Sequence, residues 1–178
     1  MGTYYEPVVE LDEGPYPIID PDAEGFYLSW QLDVTDLRTR AVLALIQEAP
    51  RRVWWVADDT PFYYTLTDHW RQRLGPGYDA TSTIPEGIAD STMSYPVVVN
   101  VDKDEFFVAA QWDGCPLPVL AASHLPRVLP DGWAALCGRW HGDRITVRAA
   151  QPCGLVELRP EGAHTNSAIT SGSEETGC

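Results

Sequence analysis

At 178 residues, with 44% hydrophobic and 11% aromatic side chains, the chain is sized for one domain and can bury a core, which excludes a largely disordered protein. A formal net charge of -14 disfavours nucleic acid, whose binding depends on Lys and Arg neutralising phosphates, and disfavours an anionic membrane surface. The charge is uneven: nine of the 26 acids precede Arg38, the first base, and residues 38–159 hold 14 acids against all 12 bases. Eleven of those bases are Arg, with Lys103 the exception. Together with 15 Pro and 14 Gly this points to GC-rich coding, as in some bacteria and their phages.

Residues 1–25 carry Pro7, Pro15, Pro17 and Pro21 with Gly14 and Gly25. They read as an acidic, Pro-rich extended arm with at most one short strand, "VVEL". "MGTYYEPVVELDEG" has neither a basic n-region nor an apolar h-region, so no signal peptide is expected, and a cytoplasmic location follows as the expectation. "FYLSWQL" (26–32) reads as a strand. Asp33 or Thr35 can cap the next helix, which runs to about Glu48 with Leu37, Ala41, Val42, Leu45 and Ile46 on one face and Arg38, Arg40, Gln47 and Glu48 mostly off it.

"RVWWVA" (52–57) is a second strand. Thr60-Pro61 then supplies a cap followed by proline at the first helical position, the start of a helix over 61–74 with Phe62, Leu66 and Trp70 at i, i+4, i+8. Strand, helix, strand and helix in this order suggest a βαβ-like unit.

Beyond "GPG" the pattern becomes antiparallel. "PVVVNV" and "FFVAAQW" flank Asp102-Lys103-Asp104-Glu105, and "WAALCGRW" and "RITVRAA" flank "HGD", two hairpin signals. "LVELR" (155–159) continues the alternation. The expected fold is α+β: a mainly antiparallel sheet with two helices in the first half, a single domain over 26–160 and a disordered tail over 161–178.

The stretch "VWWVADDTPFYYTLTDHW" (53–70) concentrates the candidate chemistry. Asp58 and Asp59 fall at a strand's carboxyl end beside a helix N-terminus, the edge where α/β sheets bind ligands, and two carboxylates could hold Mg²⁺. Such carboxylates also complement a helix dipole without any ligand. A metal site would need further donors, such as Asp79, Asp90 or Asp113.

Cys137-x3-His141 lacks the tight knuckle of a zinc site, and free thiols are expected for the four cysteines. His69 reads as a surface helix position. No nucleophile elbow, P-loop or H-E-x-x-H is present. Arg139, Arg144, Arg148 and Arg159 gather on the last strands, where they could dock the acidic arm over residues 6–24.

Six of the 19 aromatics lie in this stretch. Adjacent strand residues point to opposite faces, so Trp54 and Trp55 cannot share one core, and the same problem arises for Tyr63 and Tyr64. Exposed Trp and Tyr beside carboxylates compose a protein-binding hot spot.

The favoured reading is therefore a non-enzymatic acidic protein that binds another macromolecule through Trp55, Asp58, Asp59 and Tyr64, with no cofactor and no metal. Its partner is expected to be a protein, a basic one suiting the charge, as for an inhibitory, immunity-type accessory protein. Two alternatives stay open: a small Mg²⁺-dependent hydrolase or phosphotransfer enzyme using Asp58 and Asp59, and a structural, virion-type assembly component.

Overall fold

A computed structural model describes residues 4–20, 32–58, 60–76, 82–88, 94–124, 129 and 132–160. Most of the strand expected at 26–32 and the whole tail over 161–178 lie outside the described residues, as do Asp59, Asp79, Asp90 and Cys178.

Seven strands form one sheet: β1 (Tyr5–Leu11), β2 (Gly14–Pro17), β3 (Arg51–Ala57), β4 (Val97–Asn100), β5 (Glu105–Val108), β6 (Arg144–Arg148) and β7 (Val156–Glu157). Their order is β2-β1-β3-β6-β4-β5-β7. Every pairing is antiparallel except β5 with β7. Among the described residues three α-helices accompany it: α1 (Leu37–Glu48), α2 (Pro61–Leu74) and the single-turn α3 (Leu117–Leu120). The architecture is α+β. Among the described residues no helix is long and apolar enough to cross a membrane.

Within the stretch read as an acidic arm, Tyr5–Leu11 and Gly14–Pro17 belong to the sheet. β1 lies between β2 and β3, with Pro7 opposite Trp55 and Val9 opposite Val53. Tyr5, Val8 and Val9 are buried, and that burial outweighs the local prolines. Pro15 and Pro17 sit on the edge strand β2, where a residue without N–H offers nothing to an incoming strand. The arm's acids meet α2 and β3 rather than the last strands. Glu13 pairs with Arg73 at 2.6 Å, and Glu10 with Arg52 at 3.5 Å. Arg139, Arg144 and Arg159 instead hold Glu105, Asp102 and Glu157, so these three do not pair with the described acids of the arm.

β3 is flanked along its length. It meets β6 only at Arg51–Ile145 and Arg52–Arg144. Past that point other segments take up its edge: Gly142 N–H donates to Val53 O (2.9 Å), Trp55 N–H to Ala121 O (2.8 Å) and Ser123 N–H to Trp55 O (2.7 Å). Val53 through Ala57 are all buried, which is why the strand reads as an unbroken apolar run rather than an alternating one.

Its two faces meet different layers. Val53, Trp55 and Ala57 join Ala41, Val42 and Ile46 of α1 and Leu117 and Leu120 of α3 in the main core. Trp54 and Val56 join Val8 and Tyr63 in a second core, with Leu66 packed against it.

Helix starts follow side-chain capping, with one shift from expectation. Asp36, not Asp33 or Thr35, caps α1: its Oδ1 accepts from Thr39 N–H at 3.0 Å while Oδ2 accepts from Arg38 at 2.8 Å. Arg38 is thereby buried, although its position in the pattern suggested the outer face. The "DKDE" hairpin forms as β4–β5, with Asp104 at φ +55° supplying the turn. The "HGD" hairpin does not form. Residues 138–140 run beside α3, Gly138 N–H donating to Val119 O and Trp140 N–H to Leu120 O, and β6 pairs with β4.

Candidate functional site around the start of helix α2

The end of β3 and the first turn of α2 form one corner. Thr60 makes it: its Oγ1 accepts from Tyr63 N–H (3.3 Å) and donates to Ala57 O (2.7 Å), and Pro61 follows with its φ already helical. Gly75, at φ +70°, closes the helix by donating to Arg71 O. Asp58 is half-buried, and its N–H donates to Tyr4 O at 3.0 Å, one more rung on the β1–β3 ladder. The cap on α2 is thus Thr60.

Of the site residues expected from the sequence, Trp55 is corrected. It is 0% exposed in the main core and offers no contact surface, because the 121–123 segment beside β3 and the α1 layer enclose it. Tyr64 is 49% exposed, with the Arg71 guanidinium 5.0 Å from its ring centre. Asp58 lies at the same corner, and Asp59 is outside the described residues.

The buried stripe of α2 is Tyr63, Thr67 and Trp70, one residue round from the Phe62–Leu66–Trp70 stripe of the sequence pattern. Tyr63 sets the rotation: it packs on Trp54 and Val56, and its hydroxyl donates to the Glu6 carboxylate of β1. Phe62 is left 41% exposed, its ring 5.4 Å from that of His141. Tyr4, one residue before β1 and joined to Asp58 through its carbonyl, is 36% exposed.

Sequence reasoning missed Phe62 and Tyr4 as surface aromatics. The available signal for Phe62 was the pairing of Thr67 with Tyr63 at i, i+4, whose hydroxyl donates back to Tyr63 O at 2.9 Å.

Other groups nearby are engaged by neighbours. Ser123 Oγ accepts from Ala57 N–H (3.3 Å) and lies 3.2 Å from His124 Nδ1. Tyr5 hydroxyl and Cys137 Sγ both donate to His124 O, at 3.1 and 3.3 Å. Burial raises the Cys137 thiol and pushes Cys115 up to about 12, so both are neutral thiols at ordinary pH. Cys153 is disulfide-bonded, against the expectation of four free thiols.

His141 Nδ1 faces Ala121 O at 3.0 Å and does not converge with Cys137. Among the described residues no group of three or more His, Cys, Asp or Glu side chains could hold a metal ion.

The first turn of α2 therefore leaves Phe62 and Tyr64 exposed on opposite flanks of the buried Tyr63, with Tyr4 exposed next to the strand end that carries Asp58. No protein-family model, no curated protein and no solved structure matches the chain.

Proposed function

We propose that this is a non-enzymatic binding protein whose contact surface is the start of α2, and that its partner is a basic protein. The observation that carries the reading is the exposure of Phe62 and Tyr64 in the first turn of α2 and of Tyr4, whose backbone meets that of Asp58, three of the five exposed large hydrophobic side chains among the described residues, in a chain of net charge -14. Exposed Tyr and Phe on a rigid element supply large contact area at low entropic cost, and acidic surroundings steer a basic partner while repelling phosphate backbones. An inhibitory, immunity-type role towards a basic toxin or nuclease of a bacterium or phage fits that chemistry.

Affinity capture from a GC-rich bacterial host tests it, with Tyr64→Ala and the double variant Tyr4→Ala/Phe62→Ala as controls. The expected result is a basic protein retained in stoichiometric amount at low salt, weakened at high salt and lost with the variants. Capture of the chain's own copies would instead favour an assembly component. Thermal stabilisation by Mg²⁺ that Asp58→Asn abolishes would favour the hydrolase reading.

A further inference from the structure

The cysteines are not equivalent. Cys115 is buried and Cys137 half-buried, both as free thiols, whereas Cys153 is disulfide-bonded. The chain has four cysteines, so elimination leaves Cys178 as the partner of Cys153. Burial raises the thiols of Cys115 and Cys137, and neither supplies a thiolate that would compete for the bond.

Cys153 lies exposed between β6 and β7, beside an open edge of the sheet. Val156 N–H donates to Asp104 O at 2.9 Å and Leu158 N–H to Phe106 O at 2.7 Å. The alternation along a strand turns the backbone groups of Glu157 and Arg159 away from β5, and no described strand pairs with that side. Val156 is 60% exposed, the most of any large hydrophobic side chain among the described residues. The opposite edge, β2, is blunted by Pro15 and Pro17, and β7 has no proline.

Residues 161–178 leave from one end of β7, after Pro160, and a bond to Cys153 ties them at its other end. Eighteen residues, at about 3.3 Å each when extended, reach far past the seven-residue span from Cys153 to Pro160. The segment contains no proline, so every N–H in it can bond to a strand edge.

We propose that Cys153 and Cys178 form a thiol–disulfide switch: closed, it returns residues 161–178 antiparallel along the open edge of β7, and reduced, it releases them. Glutathione disulfide closes it by two exchanges. The Cys153 thiolate attacks one glutathione sulfur and expels a glutathione thiolate. The Cys178 thiolate then attacks the Cys153 sulfur of the mixed disulfide and expels the second. Two electrons pass to glutathione disulfide, and the two cysteine protons end on the two glutathione thiols.

Glu-C digestion of the full chain without reduction, after equilibration with glutathione disulfide, tests the pairing. The expected product joins a Cys153 peptide ending at Glu157 to Thr176–Cys178, and dithiothreitol separates the two. Amide exchange at Glu157 and Arg159 is expected to be about tenfold slower in the oxidised protein than in the reduced one. Cys178→Ser and Cys153→Ser should each match the reduced protein in either buffer.

Cys153 and Cys178 both open to alkylation in excess glutathione disulfide, a link to Cys115 or Cys137, or a link between two copies of the chain overturns the switch. Equal exchange at β7 in the oxidised and reduced proteins overturns the covering of the edge.

Discussion

Trp54 and Trp55 are neighbours in the chain and members of different cores: Trp55 faces α1 and α3, and Trp54 faces Tyr63 of α2. The doubled aromatic pair serves a strand covered on both sides. Trp55→Ala is expected to cost about 3–5 kcal/mol of stability, in the range of large-to-small core changes. Tyr64→Ala should stay within about 0.5 kcal/mol. Urea unfolding of the two variants distinguishes a core residue from a contact residue, and equal losses would remove Tyr64 from the proposed surface.

Gly142 lies against the other member of the pair. Its φ is +75°, and a Cβ there would stand 2.7 Å from Trp54 Nε1. Gly154 has nearly the same φ, +79°, with open space around it. Gly154→Ala should cost about 1–2 kcal/mol, the left-handed backbone penalty alone. Gly142→Ala should cost clearly more, because the indole must move. Unfolding midpoints give the comparison, and a Gly142→Ala protein as stable as Gly154→Ala would show that Trp54 can shift freely.

Glu105 is buried and accepts from Arg139 and, at 2.7 Å, from Trp140 Nε1–H. The Arg139 guanidinium holds its carboxyl below the ordinary value of 4.5, against the opposing effect of burial. A lowered folded pKa contributes stability that is fully present above the unfolded value and is lost as pH falls through the folded one. The wild type should therefore lose stability on acidification below about pH 4.5 more steeply than Glu105→Gln. At neutral pH that variant should be weaker by about 1–3 kcal/mol. Chemical denaturation at a series of pH values reads both effects.

Thr60 caps α2 through Tyr63 N–H. Thr60→Ala should destabilise the protein by about 1 kcal/mol. Thr60→Ser should retain most of that stability. If Asp58→Ala costs as much as Thr60→Ala in the same assay, the assignment of the cap to Thr60 fails.

Cys115 is enclosed, with its thiol pushed up to about 12 by burial. Iodoacetamide at pH 8 should leave it unmodified in the folded protein and label it only in denaturant. Mass spectrometry of tryptic peptides identifies the site, and prompt native labelling of Cys115 would contradict its burial.

Local patterns were legible from the residues themselves. The Thr60-Pro61 start, the β4–β5 hairpin and the antiparallel alternation after residue 95 follow from short-range chemistry, since caps, turns and strand pleats involve residues close in the chain. The α+β class followed from those signals. Asp58 is half-buried at the end of β3, and Tyr64 is exposed on α2.

The tertiary structure decided the rest. Whether a β3 residue faces solvent depends on segments 121–123 and 142–143, more than 60 positions away, which no periodicity around Trp55 can report. Whether residues 5–17 form an arm or a hairpin depends on the register Pro7–Trp55 and on the layer beneath it. The rotation that buries Tyr63 and exposes Phe62 was set by Glu6 on another strand. The sequence by itself determined the segments whose signals are local, α1, α2, β3 and the β4–β5 hairpin. Only the packing of distant segments decided which aromatic rings became core and which became surface, because burial is a property of what lies across the interface.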